Sequence, residues 1–276
     1  MAALFSISER VAEIGEARIS YLEAGKGPAL VLLHGIGSGA ASWRAQLQAL
    51  SQSHRVIAWN APGYGQSTPL KQETPVTQDY ALALNAFLDA LDIAECDLAG
   101  HSLGALMAAR FARAFPRRAR SLTLAGCAIG HARMETGERQ RLLESRIGDV
   151  VEMGPRGMAE KRGPRLVTAN APEAVRRAVI DTMASVDPSG YAQAARMLST
   201  GDMLADIGAL PSALRVQFIY GAEDVITPPE VNLRAAAMRP SAPVHVVEGA
   251  GHALYLERAE KFNTLLLDFI GARDDH

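Results

Sequence analysis

Six short apolar runs recur along the chain: ALVLLHG (29–35), RVIAWN (55–60), CDLAGH (96–101), SLTLAG (121–126), VQFIYG (216–221) and VHVVEG (244–249), most of them ending in glycine or a polar residue. Uninterrupted runs of this length suit strands covered on both faces, as in a parallel sheet. Between them lie stretches with apolar residues at helical spacing, ASWRAQLQAL, VTQDYALALNAFLDALD, LGALMAARFARAF, EVNLRAAAM and AEKFNTLLLDFI. Strand and helix alternate, which predicts an α/β chain with a mostly parallel central sheet and helices on both faces. Ahead of these, RVAEIGEARISYLEAG alternates apolar and polar residues on both sides of Gly15-Glu16. That period predicts an N-terminal β-hairpin.

One interval is too long for a simple crossover. Between Gly126 and Arg215 there is helical pattern but no strand, and a structureless loop of that length has no place in a compact domain. ERQRLLESRIGDVVEM, GMAEKRGPRLV, PEAVRRAVIDTMASV and SGYAQAARMLSTG read as four helices forming a lid. The expected organisation is a core made of residues 1–128 and 209–276 with a helical cap inserted at 129–208. Neither internal repeats nor low-complexity segments are evident, and RDDH at the C-terminus reads as a solvated tail.

With 48% hydrophobic residues the chain has material for a large core, and a net charge of -2 gives no electrostatic reason to bind nucleic acid or an anionic membrane. A small molecule is the expected partner. The two cysteines, Cys96 and Cys127, sit in apolar surroundings and read as small core residues of a reduced protein. Glu9, Glu13 and Glu16 interrupt any secretory signal, and no stretch approaches the ~20 apolar residues of a membrane span. The expected location is the cytoplasm.

In a parallel sheet the strand carboxyl ends share one edge, where ligands tend to bind. That edge gathers His34-Gly35, Ser102, Asp224 and His252. Ser102 lies in G-H-S-L-G (100–104), after a strand and before a helix, the context of a nucleophile elbow; a helix-capping serine is the other reading of the same residue. A serine hydroxyl needs an adjacent base, and the base an oriented carboxylate. Of seven histidines, His252 alone lies in a glycine-rich turn after the last strand. His245 falls within a strand, His276 in the tail and His101 beside the elbow, while His54 and His131 are expected off the strand-end edge. Asp224, three residues past the glycine ending a strand, is preferred to Glu223 as the carboxylate. The backbone N–H groups of Leu103 and Ile36 are the expected oxyanion hole. HGIGSG (34–39) lacks the Lys-Ser/Thr ending of a phosphate loop, and neither a cofactor nor a metal site is expected.

HGIGSGAASW (34–43), NAPGYGQS (60–67), GHSLG (100–104), GAEDVITP (221–228) and GAGHALYLE (249–257) together resemble the α/β-hydrolase fold superfamily along nearly the whole chain. The resemblance implies a helical cap over the active site. DPSGYAQAARMLSTGDM resembles 3-oxoadipate enol-lactonases and related esterases, whereas HGIGSGAASW and NAPGYGQS are similar to meta-cleavage product hydrolases, which split a carbon–carbon bond. The chain departs from both: its inserted segment has no tryptophan, and His101 stands where the second group usually has asparagine. Serine at 102 separates it from the epoxide hydrolases and haloalkane dehalogenases, which attack with aspartate. The leading expectation is a serine hydrolase of a small carboxylic ester or lactone. Carbon–carbon bond hydrolysis and a non-enzymatic small-ligand receptor remain as alternatives. Met134, Met153, Met158 and Met197 are candidate pocket lining or cap packing, and Arg133, Arg139, Arg162 and Arg165 are candidate carboxylate binders or surface charges. Trp43 and Tyr255 are placed near the entrance.

Overall fold

A computed structural model describes residues 7–272. His276 and the RDDH tail lie outside the described residues. Eight strands form one sheet in the order β1-β2-β4-β3-β5-β6-β7-β8. The first two, β1 (Ser8–Ile14) and β2 (Ala17–Ala24), make the hairpin expected around Gly15, and β2 runs antiparallel to β4 (Arg55–Trp59). The rest pair in parallel: β3 (Ala29–Leu33), β5 (Cys96–His101), β6 (Ala119–Ala125), β7 (Arg215–Gly221) and β8 (Val244–Val247).

Alternation along the strands feeds two cores. Val31, Leu33, Ile57 and Trp59 join one apolar cluster, and Leu30, Leu32, Val56 and Ala58 join the other across the sheet. The first is covered by α2 (Thr77–Ala90) and α3 (Leu103–Ala114), the second by α1 (Arg44–Leu50) and two helices near the C-terminus. The exception is β8, which lies at the sheet edge with Val244 and Val246 exposed, so its apolar run is not covered on both faces.

The 90-residue interval is helical. It holds α4 (Thr136–Glu152), α5 (Gly154–Arg162), α6 (Glu173–Ala184), α7 (Pro188–Thr200) and α8 (Met203–Gly208). GMAEKRGPRLV is less regular than its pattern suggests, because Gly163-Pro164 ends α5 and the chain continues as a single 3-10 turn over Gly163–Leu166. Helix α7 meets the rest of the molecule backbone to backbone. A Cβ on Gly190 would overlap the Gly63 carbonyl, and one on Gly130 would overlap the Gly201 carbonyl. Gln193 adds side-chain bonds to the carbonyls of Leu70 and Gln72, both at 2.8 Å. After β7 come α9 (Pro229–Ala236), α10 (Leu254–Glu257) and α11 (Ala259–Gly271). No helix among the described residues is long and apolar enough to cross a membrane.

Candidate active site

The turn from β5 into α3 is a sharp one. Ser102 has φ 54 and ψ -116, and among the described residues only Asp92 and Ser102 carry a positive φ without being glycine. Such a conformation costs about 1–3 kcal/mol and persists only where the surroundings enforce it. Here the backbone does so: Ser102 N–H donates to the Ala125 carbonyl at 2.8 Å, and the Ser102 carbonyl accepts from Ala105 N–H at 3.0 Å. The flanking glycines are required sterically, since a Cβ at Gly100 would overlap the Gly104 carbonyl and one at Gly104 the Leu33 carbonyl. Ser102 occupies the N-cap position of α3, yet its side chain makes no capping hydrogen bond. The hydroxyl therefore borders the cavity without being committed to the helix.

Asp224 and His252 are brought together from the loops after β7 and β8. His252 Nδ1 lies 2.8 Å from Asp224 Oδ2, and both side chains are almost wholly buried. An Nδ1–H donated to that oxygen leaves Nε2 with its lone pair free. The carboxylate is further held by the backbone N–H groups of Ile226 (2.8 Å) and Thr227 (2.9 Å) on Oδ1 and by the Thr227 hydroxyl (2.8 Å) on Oδ2. Burial works against its ionisation, but His252 and these donors outweigh burial and hold the Asp224 carboxyl below its ordinary range. The alternative carboxylate, Glu223, forms no side-chain bond to His252, whereas Asp224 does.

Ser102, His252, Ile36 and Leu103 line one cavity of about 430 Å³. Leu103 supplies the first N–H of α3, where amides have no intrahelical acceptor. The loop carrying Ile36 is pinned from behind: Tyr64 Oη donates to the Ile36 carbonyl at 2.5 Å, and His34 bridges the Gly35 carbonyl (Nδ1, 2.8 Å) and Ala61 N–H (Nε2, 3.0 Å). Burial pushes His34 down to about 4, so it serves as a neutral strut.

Several supports have no separate signal in the sequence. His101 Nε2 donates to the His252 backbone carbonyl at 2.8 Å, and their rings lie 4.6 Å apart. Burial, and then the neighbouring His252 ring, push His101 down to about 3. Asn232 accepts from Cys127 N–H (2.7 Å) and donates to the Thr227 carbonyl (2.7 Å), tying the ends of β6 and β7 together. Glu257 accepts from Gly251 N–H (2.7 Å) and from Thr168 through its N–H (2.9 Å) and hydroxyl (2.8 Å), joining the turn before His252 to the inserted segment.

One expectation needs correction, and several held open between alternatives are resolved. His131 is not remote from the edge, because the chain after β6 turns back and places it in the cavity wall. Of the four methionines only Met134 lines the cavity; Met158 and Met197 are packed in the core and Met153 lies on the surface, while Met183, from α6, reaches the wall instead. Arg133, Arg162 and Arg165 line it, but Arg139 does not, and Arg146 and Arg234 join them. Tyr255 lines the cavity, whereas Trp43 is fully buried behind it with ring centroids 4.3 Å apart. Cys96 and Cys127 are free and buried, as their surroundings suggested. No cluster of three or more His, Cys, Asp or Glu that could hold a metal ion occurs among the described residues.

The sequence pattern of the alpha/beta hydrolase family matches residues 30–265. The chain belongs to this family. A 2-hydroxy-6-oxononadienedioate/2-hydroxy-6-oxononatrienedioate hydrolase of Pseudomonas putida is 30% identical over 288 residues, covering 95% of this chain and 96% of the relative. Two solved structures share the family's fold. The enol-lactonase from Burkholderia xenovorans LB400 superposes with a TM-score of 0.85 at 22% identity, over 95% of this chain and 100% of that one. A thermophilic esterase from Thermogutta terrifontis superposes with a TM-score of 0.84 at 24% identity, over 96% and 98%.

Proposed function

We propose that this member of the alpha/beta hydrolase family is a serine hydrolase acting on a small carboxylic ester or lactone. Ser102 Oγ attacks the carbonyl carbon while His252 Nε2 takes the hydroxyl proton, and Asp224 holds the imidazole in the tautomer that makes this possible. The tetrahedral oxyanion is received by the N–H groups of Ile36 and Leu103. The carbon–oxygen bond to the leaving group then breaks, and His252 returns its proton to that oxygen. Water, deprotonated by His252, releases the acyl group and restores Ser102. Residues 129–208 act as a cap that closes the cavity over the reacting carbonyl.

The observation that carries this reading is the pairing of a strained, uncapped Ser102 with an Asp224–His252 hydrogen bond of 2.8 Å beside the same cavity. Mass spectrometry after reaction with a phosphonate probe tests it. One adduct is expected on the wild type and none on Ser102→Ala; an adduct that persists in the variant overturns the assignment.

A second reading is carbon–carbon bond hydrolysis, favoured by the name of the 30%-identical Pseudomonas putida relative. A ring-fission dioxo acid assayed beside enol lactones and short aryl esters separates the two, by whichever class has the larger kcat/KM.

A further inference from the structure

The cavity wall carries charge of one sign. Arg133, Arg146, Arg162, Arg165 and Arg234 line it, and no aspartate or glutamate does. Two of these cations already have carboxylate partners, Arg162 sharing its own with Lys161. Arg133 holds both oxygens of Asp202, at 3.0 and 2.9 Å, and Arg162 is paired with Asp149. Arg165 and Arg234 are exposed and make no ion pair among the described residues.

Arg146 is different from all four. It projects from α4 and is half-buried, and among the described residues it also forms no ion pair. Its hydrogen-bond contact is a long one, Nη1 to the Tyr191 hydroxyl at 3.5 Å. Burial, and then the Arg146 charge itself, push His131 in the same wall down to about 4. Arg146 also acts on Tyr64, whose hydroxyl is raised by burial, Tyr80 and Tyr191 against the pull of that charge. A half-buried guanidinium whose hydrogen bond is long and made to a neutral hydroxyl is open to a charge-assisted hydrogen bond with an anion. The apolar part of the cavity lining, including Val179, Met183, Leu198 and Leu204, supplies none.

We propose that the substrate carries a carboxylate and that Arg146 binds it, with His131 and the Tyr191 hydroxyl beside the bound group. Arg165 and Arg234 draw the anion toward the cavity through their field. This inference rests on the hydrolase reading for its catalytic consequence, but the anion site itself is independent of it.

The test therefore has a catalytic and a binding arm. In the first, mono-p-nitrophenyl glutarate is compared with p-nitrophenyl butyrate, and 4-carboxyphenyl butyrate with 4-acetylphenyl butyrate. The two pairs put the carboxylate on the acyl or the leaving-group side. In at least one pair the anionic ester is expected to have the higher kcat/KM. Arg146→Gln is expected to lower that preference about 10- to 100-fold, chiefly through KM, with Arg146→Lys recovering part of it. In the second arm, glutarate binding to Ser102→Ala is measured by calorimetry with and without Arg146→Gln, and is expected to weaken by a similar factor. If neutral and anionic esters are hydrolysed equally well, and Arg146→Gln changes neither that ratio nor glutarate affinity, the proposal is overturned while the hydrolase reading stands. If no ester is turned over but glutarate binding depends on Arg146, the anion site stands and the ester reading falls.

Discussion

His101 donates a hydrogen bond of 2.8 Å to the backbone carbonyl of His252, so the residue just before the elbow serine steadies the histidine that faces it. The bond fixes a His101 proton on Nε2, which an imidazolium would donate as well. Burial keeps the ring neutral, as it does His34.

Acid should therefore destabilise the fold well above the carboxylate range. His101 and His34 have folded values of about 3 and about 4, below the ordinary value of 6.5. As pH falls through about 6.5 the unfolded chain takes up these protons first, so their stabilising contribution is complete above that pH and declines below it. Each histidine contributes a slope of about 1.4 kcal/mol per pH unit within its window. Urea unfolding between pH 7.5 and 4.5 should show this fall, and His101→Gln should make it shallower. An unchanged slope in the variant would count against a buried neutral His101.

Thr227 bridges the acid and the base, with its hydroxyl 2.8 Å from Asp224 Oδ2 and 3.1 Å from His252 Nδ1. Thr227→Val keeps the shape and removes those contacts. On the hydrolase reading, kcat should fall about tenfold with little change in KM, and Thr227→Ser should restore most of it. Steady-state kinetics of the three proteins on one ester decides the matter.

Gly104 has no room for a methyl group against the Leu33 carbonyl in β3. Gly104→Ala should lower stability by about 2–4 kcal/mol, or prevent folding, because the obstacle is core-strand backbone that has no rotamer to change. Gly271→Ala, where nothing lies within 4 Å of the new Cβ, is the control and should have a similar Tm to the wild type.

Glu257 links the His252 turn to the inserted segment through three hydrogen bonds. Glu257→Ala should cost about 2–4 kcal/mol, since it leaves three buried donors without partners. Hydrogen exchange should then rise in residues 166–168 and 250–253 together. Faster exchange in only one of the two segments would show that the carboxylate does not couple them.

The parts of the candidate site that were legible in the sequence are those fixed by local backbone geometry. Ser102, Asp224 and His252 each follow a strand within a glycine-marked turn, and strand ends in a parallel sheet converge irrespective of what the helices do. Thr227, Asn232 and Glu257 were not legible, because a hydroxyl, an amide or a carboxylate acquires its role only from a partner distant in the chain. His131 was misplaced because the return of the chain after β6 depends on how the segment packs rather than on its period. Arg146 was missed among the arginines of α4 for a related reason: the spacing of GERQRLLESRIGDVVE fixes a helix, while its docking fixes which cation faces inward. The exposed valines of β8 look core-like in sequence, since an apolar run carries no record of whether its strand lies inside or at the edge of the sheet.

Helix α7 touches the loop after β4 through Gly190 on Gly63, and the loop after its own end lies on the backbone near Gly130. At these seams the mating surfaces are bare main chain, so the tolerance of the joint is set by the absence of atoms. A library that randomises the cavity wall to change its preferences can vary lining side chains such as Arg146 on α4 and Thr182 on α6. Any side chain at Gly63, Gly130 or Gly190 would act as a shim, displacing a whole wall to accommodate one carbon.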